Sequence, residues 1–388
     1  MSSTISKTQK ALKCFGPKNA KVVTDAAVPE PPEDYLLVKV DSVALNPTDW
    51  KHIDLIAKPD YRHTVGCDYA GTVISVGSKV TKQFKPGDRV AGFAHGSKHE
   101  DPESGCFAEY AKVKGDVQIH VPQSISFEEA ASWPTGINTT GQGMYGPDGL
   151  GLPWPDQPAK EKFPVLIYGA STNTGLWAIQ YAKLSGLRVV ATCSEKNFEA
   201  VKELGADEVF DYRDEKCGEK MREATKNQLK HAFDCVSEGN SMEVSIDFSS
   251  LYIVRVESVA LKRVMNTYLD KQICAKALSS EGSGAQYNAL LQVEFPRKDV
   301  KTSFTIGYSV NGEEFTFFGN YVPAKPKDFE FGKEWWGLAE KLLAEGKIRA
   351  PATTVREGGL QGVLDGFEDM KHGRISRQKL VYRIADTA

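Results

Sequence analysis

The sequence predicts an α/β protein in two parts, a β-rich unit and a doubly wound parallel sheet. Three observations predict it. Apolar and polar residues alternate through Leu36–Ala44, as on a half-buried strand. From Phe163 short apolar runs alternate with helical segments, the pattern of βα units in a sheet covered on both faces. From about Asp328 the chain returns to a helix, Gly332–Glu345, and a last strand, Lys379–Arg383, which complete the first part.

The elements read as follows. Glycines 66, 71 and 77 suggest tight bends between short strands. Lys85-Pro86-Gly87-Asp88 is a turn before the apolar run Arg89–Phe93. Ser126 caps a helix through Ala131, with Glu128 and Glu129 at its positive end. Residues 146–164 are rich in Pro and Gly and form a loop. Strands follow at Pro164–Tyr168, Arg188–Thr192, Glu208–Phe210, His231–Val236, Gln286–Val293 and Thr302–Gly307, with helices at Gly175–Ser185 and Phe198–Leu204 and others between.

Composition narrows the class. A chain of 388 residues holds two domains, and 41% apolar with 26% charged residues is globular usage. A net charge of −3 offers no global positive field for nucleic acid or an anionic membrane. No apolar run reaches the length of a membrane-spanning helix, about 18 residues. The polar start, Met1–Lys10, has no apolar core of a signal peptide. Cys14, Cys67, Cys106, Cys193, Cys217, Cys235 and Cys274 are scattered and odd in number. That predicts reduced thiols in a cytoplasmic protein.

The most informative segment is strand–turn–helix. Val165-Leu166-Ile167-Tyr168 reads as a strand buried on both faces, and Gly169-Ala170-Ser171-Thr172-Asn173-Thr174-Gly175 leads into a helix. A dinucleotide pyrophosphate sits on the N–H groups of such a helix start. Gly169 permits the sharp turn and Gly175 close helix–strand packing. The middle glycines of the usual pattern are missing, and Ser171, Thr172, Asn173 and Thr174 offer side-chain donors to phosphate instead. At the next strand end, Ser194 and Lys196, with Glu195 and Asn197, supply a hydroxyl and a cation that suit the 2′-phosphate of NADPH. The other reading of Lys196 is a solvated lysine. Tyr212 is placed to stack on adenine or touch that phosphate.

These residues resemble the medium-chain dehydrogenase/reductase superfamily over nearly the whole chain. The resemblance is carried by Asn46-Pro47-Thr48-Asp49-Trp50-Lys51, Val65-Gly66-Cys67-Asp68-Tyr69-Ala70-Gly71, Pro86-Gly87-Asp88-Arg89-Val90 and the Gly169 turn. Within it the chain looks like the fungal trans-acting enoyl reductases, through Ile167-Tyr168-Gly169, Ala191-Thr192-Cys193-Ser194, Lys196-Asn197-Phe198 and Leu204-Gly205-Ala206-Asp207 leading to Phe210-Asp211-Tyr212-Arg213-Asp214. The resemblance implies a GroES-like catalytic domain (1–125, completed by 326–388), a Rossmann domain (126–325) and an active cleft between them. It implies reduction by NADPH of an α,β-unsaturated thioester carried on the acyl carrier domain of a polyketide synthase, hybrids with a peptide synthetase included, by a monomeric enzyme.

By the same resemblance, zinc members place their ligands near Asn46 and at a Gly-His-Glu triplet, which here is Gly66-Cys67-Asp68. Zinc needs three or four ligands at about 2.0–2.3 Å, and this set does not supply them. Cys67 reads as a packed thiol. His95 and His99, near Glu100, Asp101 and Glu103, read as a solvated loop. The thioester carbonyl is then polarised by hydrogen bonds.

The resemblance also assigns site residues. Thr48, Asp49, Trp50 and Lys51 face the nicotinamide, and Lys51 is either a polar anchor there or a surface lysine. Thr135, Gly136, Ile137, Asn138, Thr139, Thr140, Gly141 and Gln142 open a helix suited to substrate. Thr305, Ile306, Gly307, Tyr308 and Ser309 line the substrate channel. Asn288, Ala289, Ile375 and Ser376 border the cofactor. Lys7, Lys10, Lys13 and Lys18 are candidates for meeting an acidic carrier surface.

One segment departs from the family pattern. Glu238–Glu243 would run straight into Ile273–Leu278 as one amphipathic helix, but residues 244–272 intervene. The segment starts Val-Ser and ends in Gln, as a translated intron kept in frame would, and the other reading is a surface insertion. A transcript that consistently retains these codons would sink the intron reading. Two rival functions share the fold: a stand-alone quinone or alkenal reductase, and a non-catalytic nucleotide-binding protein.

Overall fold

A computed structural model describes residues 5–236, 271–281 and 284–388. The chain divides into two compact units, Met1–Asn138 with Gly307–Ala388, and Thr139–Ile306. Residues 126–138 and 307–325, assigned above to the nucleotide-binding part, therefore group with the first unit. The reason is visible in its hydrogen bonds: Asn138 Nδ2 donates to the Gly307 carbonyl (2.9 Å), and Trp335 Nε1 to the Ile137 carbonyl (2.9 Å).

The first unit is built on a seven-stranded sheet. Its path runs Ala352–Arg356, Gln378–Arg383, Tyr35–Ala44, Asp68–Val76, Arg89–Phe93, Gln118–His120, with Tyr110–Lys114 also paired to Tyr35–Ala44. A three-stranded sheet of Thr8–Gly16, Asn19–Ala27 and His63–Thr64 adjoins it. Leu36, Val38, Val43, Tyr69, Val90, Phe107 and Tyr382 share its core. Ser126 caps Phe127–Ala131 as expected, accepting from the Glu129 N–H. Gly71 corrects one expectation. It makes no bend but sits within the strand Asp68–Val76, where a Cβ would lie 2.1 Å from the Lys39 carbonyl oxygen, beside a register shift between Val40 and Ser42. The late helix starts earlier than Gly332, at Pro326, since proline suits a first turn.

The second unit holds six parallel strands in the order Glu208–Asp211, Arg188–Cys193, Pro164–Tyr168, His231–Asp234, Gln286–Ala289, Lys301–Phe304. Strand order reverses at Pro164–Tyr168, the switch point where such sheets bind ligands. That strand is buried at all five positions, because helices and neighbours cover both its faces. Several strands are shorter than the apolar runs suggest: of Gln286–Val293, Gln286–Ala289 forms the ladder. Of the segment 244–272, residues up to 270 lie outside the described residues. Lys271 and Gln272 belong to a helix over 271–277 that buries Ile273, Cys274 and Ala277. Among the described residues no helix is long and apolar enough to cross a membrane.

Candidate active site

The nucleotide turn is built for a close-approaching ligand. Gly169 adopts φ +74°, a conformation that disfavours side chains. A Cβ on Gly175 would lie 2.5 Å from the Gly169 carbonyl oxygen and 2.7 Å from Ala170 Cα, so only glycine lets the helix start this close to the turn. The helix Asn173–Leu184 begins two residues before Gly175, and Thr172 caps it, its hydroxyl oxygen accepting from the Gly175 N–H (3.0 Å). The Thr172 O–H is left to donate. Asn173 Oδ1 is buried without a partner. A pyrophosphate fits this arrangement: helix-start N–H groups, hydroxyl donors and room a Cβ would fill. At the adjoining strand ends, Asn197 Nδ2 donates to Ser194 Oγ (3.2 Å), and Glu195 and Lys196 are exposed. Cys193 pairs in register with Asp211, which brings half-buried Tyr212 alongside. Asn288 behaves differently from expectation: its amide is spent inside the sheet, donating to Ser303 Oγ (2.9 Å) and accepting from Thr305 Oγ1 (2.9 Å). Ala289 is buried at the end of its strand.

In the first unit the short helix Pro47–Lys51 carries a hydroxyl pair. Thr48 Oγ1 lies 2.6 Å from the Tyr308 hydroxyl, and Cys67 Sγ lies 3.7 Å from the same phenol. The Tyr308 ring stacks on His95 at 3.9 Å between centroids, with His52 at its edge. His95 is thus buried rather than part of a solvated loop, a correction the Tyr308 ring explains. Burial pulls His52 down to about 4 and His95 well below its usual range, so both rings are neutral at pH 7. Burial likewise pushes the Tyr308 phenol up, which keeps it protonated. His52 Nδ1 lies 2.8 Å from the Thr48 carbonyl oxygen and in the Nδ1–H tautomer donates to it. Thr48 is half-buried, and either hydroxyl of the Thr48–Tyr308 pair can donate to the other.

Beneath that helix lies a buried ion pair. Lys379 Nζ donates to Asp68 Oδ2 (2.8 Å) and to Asn46 Oδ1, while Asp68 Oδ1 accepts from both the N–H (2.8 Å) and the hydroxyl (2.6 Å) of Thr135. Both charged side chains are almost wholly buried. The start of the helix Pro134–Tyr145 is therefore satisfied by an internal carboxylate, and Thr135 is taken up by it rather than left for substrate.

Comparison with known proteins now adds identity. Residues 32–123 match the alcohol dehydrogenase GroES-like domain, and 174–251 the zinc-binding dehydrogenase family. A trans-enoyl reductase of Alternaria alternata is 42% identical over 93% of this chain and 95% of that protein. The chain belongs to the trans-enoyl reductases. Another, of Aspergillus sclerotiorum, is 40% identical over 95% of this chain and 98% of its own length. Among solved structures, mycobacterial Rv1454c complexed with NADPH superposes with a TM-score of 0.67 at 18% identity, covering 97% of this chain and 99% of that one. As a trans-enoyl reductase of the medium-chain dehydrogenase/reductase superfamily, the protein is an oxidoreductase that uses a nicotinamide cofactor.

In this reductase the positions that resemblance compares with zinc ligands are otherwise engaged. Asn46 and Asp68 share the Lys379 ammonium, and Cys67, 1% exposed, has its thiol pushed well up by burial. The remaining expected residues scatter. Trp50 is buried, with the Lys51 ammonium 5.7 Å from its ring. Gly136, Ile137, Asn138, Thr140, Gly141 and Gln142 are buried, Thr139 half-buried, and Thr140 Oγ1 donates to the Thr174 carbonyl (3.3 Å). Ser309 donates to Asp328 (2.5 Å), so it braces the helix Pro326–Ala344 instead of lining a channel. Ile306 and Gly307 are half-buried at the unit boundary. Ile375 packs on the first unit's core and Ser376 is exposed, both in the loop before Gln378–Arg383. Lys379 was missed: one lysine on a tail strand carries no sequence signal of a partner 311 residues away.

Asp49 makes a pH-dependent contribution. Its Oδ2 accepts from the Asn46 N–H (2.7 Å), and Oδ1 is buried without a partner. Burial pushes its carboxyl from 3.8 up to about 7, with the Asp68 carboxylate adding to the effect. The folded state then binds the proton more tightly than the unfolded state. Stability from this group is full below about pH 4 and is lost as pH rises through about 7. The stability difference between wild type and Asp49→Asn, measured by urea unfolding across that window, is expected to shift steadily against wild type and level off above it. A difference independent of pH would contradict the assignment.

Proposed function

We propose that the protein reduces α,β-unsaturated thioesters borne by the acyl carrier domain of a partner polyketide synthase, using NADPH, and works as a cytoplasmic monomer. The observation that carries the chemistry is the Thr48–Tyr308 hydroxyl pair beside the buried, neutral rings of His52 and His95. When bound, NADPH would supply the hydride for the β-carbon, the C=C pair shifting to the bond between the α-carbon and the carbonyl carbon and the C=O pair onto the thioester oxygen. Thr48 donates a hydrogen bond to that oxygen as its negative charge develops. Tyr308 is a positioning residue: by donating to Thr48 Oγ1 it turns the Thr48 proton toward substrate. Lys51 anchors the polar end of the ligands from the same helix. The α-carbon takes its proton from solvent. Ser194 and Lys196 favour NADPH through its 2′-phosphate, with Tyr212 against adenine. Ser171, Thr172, Asn173 and Thr174 hold the pyrophosphate.

The test is NADPH oxidation with crotonyl-N-acetylcysteamine and with a quinone, for wild type and Tyr308→Phe. Thioester turnover well above quinone turnover is expected. Tyr308→Phe keeps the ring stack and loses the hydroxyl that meets Thr48 and, more weakly, Cys67, so kcat should fall about tenfold, ~1.4 kcal/mol, at nearly constant KM. Turnover of quinone alone would replace this function with a stand-alone quinone reductase. A raised KM at unchanged kcat would remove Tyr308 from the chemistry.

A further inference from the structure

The lysines of the first hairpin do not act as one surface. Lys13 is 7% exposed and pairs with Glu103 (2.5 Å), and Lys10 donates to the Thr387 carbonyl (3.0 Å). Lys18 sits at the hairpin tip, and the fold brings Lys21, Lys58 and Arg62 to the same end of the hairpin, about Phe15 and Gly16. Lys21 Nζ and the Arg62 guanidinium both lie over the Phe15 ring, 4.9 and 5.9 Å from its centroid. Their charges are thus at most about 11 Å apart, close to the Debye length of ~10 Å at 0.1 M salt. The backbone at Lys58 packs on Gly16, and the Lys18 N–H donates to the Ile53 carbonyl (3.0 Å).

Lys18, Lys21, Lys58 and Arg62 are all exposed, with one exposed acid, Asp60, in the same loop, and among the described residues none of the four forms an ion pair with a carboxylate. Five other lysines of this unit, Lys13, Lys82, Lys98, Lys112 and Lys114, each have an acid within 3.1 Å. A local excess of positive charge on a chain of net charge −3 has an electrostatic cost that an acidic partner relieves. Leu55, 49% exposed, is an apolar side chain on the turn His52–Ile56, whose Ile53 carbonyl receives the Lys18 N–H. The patch is also tied directly to the site: the turn that receives the Lys18 hydrogen bond continues the helix carrying Thr48 and Lys51.

We infer that this patch of Lys18, Lys21, Lys58 and Arg62 around Phe15 and Leu55 docks the acidic face of the acyl carrier. The inference rests on the function proposed above. A carrier held there delivers its thioester arm beside Pro47–Lys51, and charge steering raises the encounter rate without altering the chemistry.

The experiment compares crotonyl loaded on a free-standing acidic acyl carrier protein with crotonyl-N-acetylcysteamine. Wild type should show a lower KM for the carrier-bound group, and that advantage should fade with added salt. Lys18→Glu/Lys21→Glu, and separately Arg62→Glu, should raise the carrier KM at least tenfold. Rates with the free thioester and thermal midpoints should hold within twofold and within two degrees of wild type. Lys21→Arg, which keeps the charge, should retain the carrier KM. If wild type reduces the free thioester with no gain from the carrier, or the reversed variants keep wild-type KM for it, the docking surface is wrong while the function stands. If wild type reduces neither thioester, the function itself falls, and the surface with it.

Discussion

Replacing Lys379 by Met is expected to cost about 3–5 kcal/mol of stability, the penalty for stranding a buried partner charge. The partner is Asp68, 0% exposed, whose second oxygen already serves the N–H and hydroxyl of Thr135. Removing the ammonium leaves a carboxylate in the core with neutral donors only, and frees Asn46 Oδ1 as a second unsatisfied group. The first unit should lose roughly 6–20 °C in its thermal midpoint. Lys379→Met with Asp68→Asn should recover much of the loss, since the amide carries no charge and still accepts from Thr135. A double-mutant cycle by thermal and urea unfolding measures the coupling. A single-variant loss below about 1 kcal/mol, or no recovery in the double variant, would show that this pair is not what holds Asn46, Asp68 and the start of Pro134–Tyr145 together.

That pair also marks where sequence reading stops. Strands flanked by unambiguous turns were legible: Arg89–Phe93 and Pro164–Tyr168 emerge with the expected bounds, because period and punctuation are local properties. The helix Gly359–Lys371 was not, since Gly362 and Gly366 weaken its signal. They are there for packing: a Cβ at either would fall within 2.9 Å of the Tyr382 ring or hydroxyl. The same holds at the site. Thr48 was visible as part of Asn46–Lys51, yet its partner Tyr308 lies 260 residues on, and only the fold brings the two hydroxyls together. Thr135 and Asn288 have the residue types of ligand contacts, but three-dimensional neighbours consume them.

Gly175→Ala tests the part of the site that sequence and structure describe alike. The added methyl would meet the Gly169 carbonyl oxygen at 2.5 Å and Ala170 Cα and carbonyl carbon at 2.7 and 2.8 Å. These are backbone atoms of a turn whose first residue is already at φ +74°, so no side chain can swing aside. Either the helix start or the turn must move, at about 1–3 kcal/mol for a single misplaced methyl. The donors aimed at phosphate shift with it. NADPH affinity, measured by calorimetric titration, is expected to fall about 100-fold, close to 2.8 kcal/mol. Thr172→Ala bears on the same turn differently: it removes the cap from the Gly175 N–H at about 1 kcal/mol and leaves the backbone path open, so binding should weaken about tenfold or less. The order of the two effects is the discriminating result. If the methyl on Gly175 weakens binding no more than loss of the Thr172 hydroxyl does, side-chain donors, and not the close backbone approach, hold the phosphates in this enzyme.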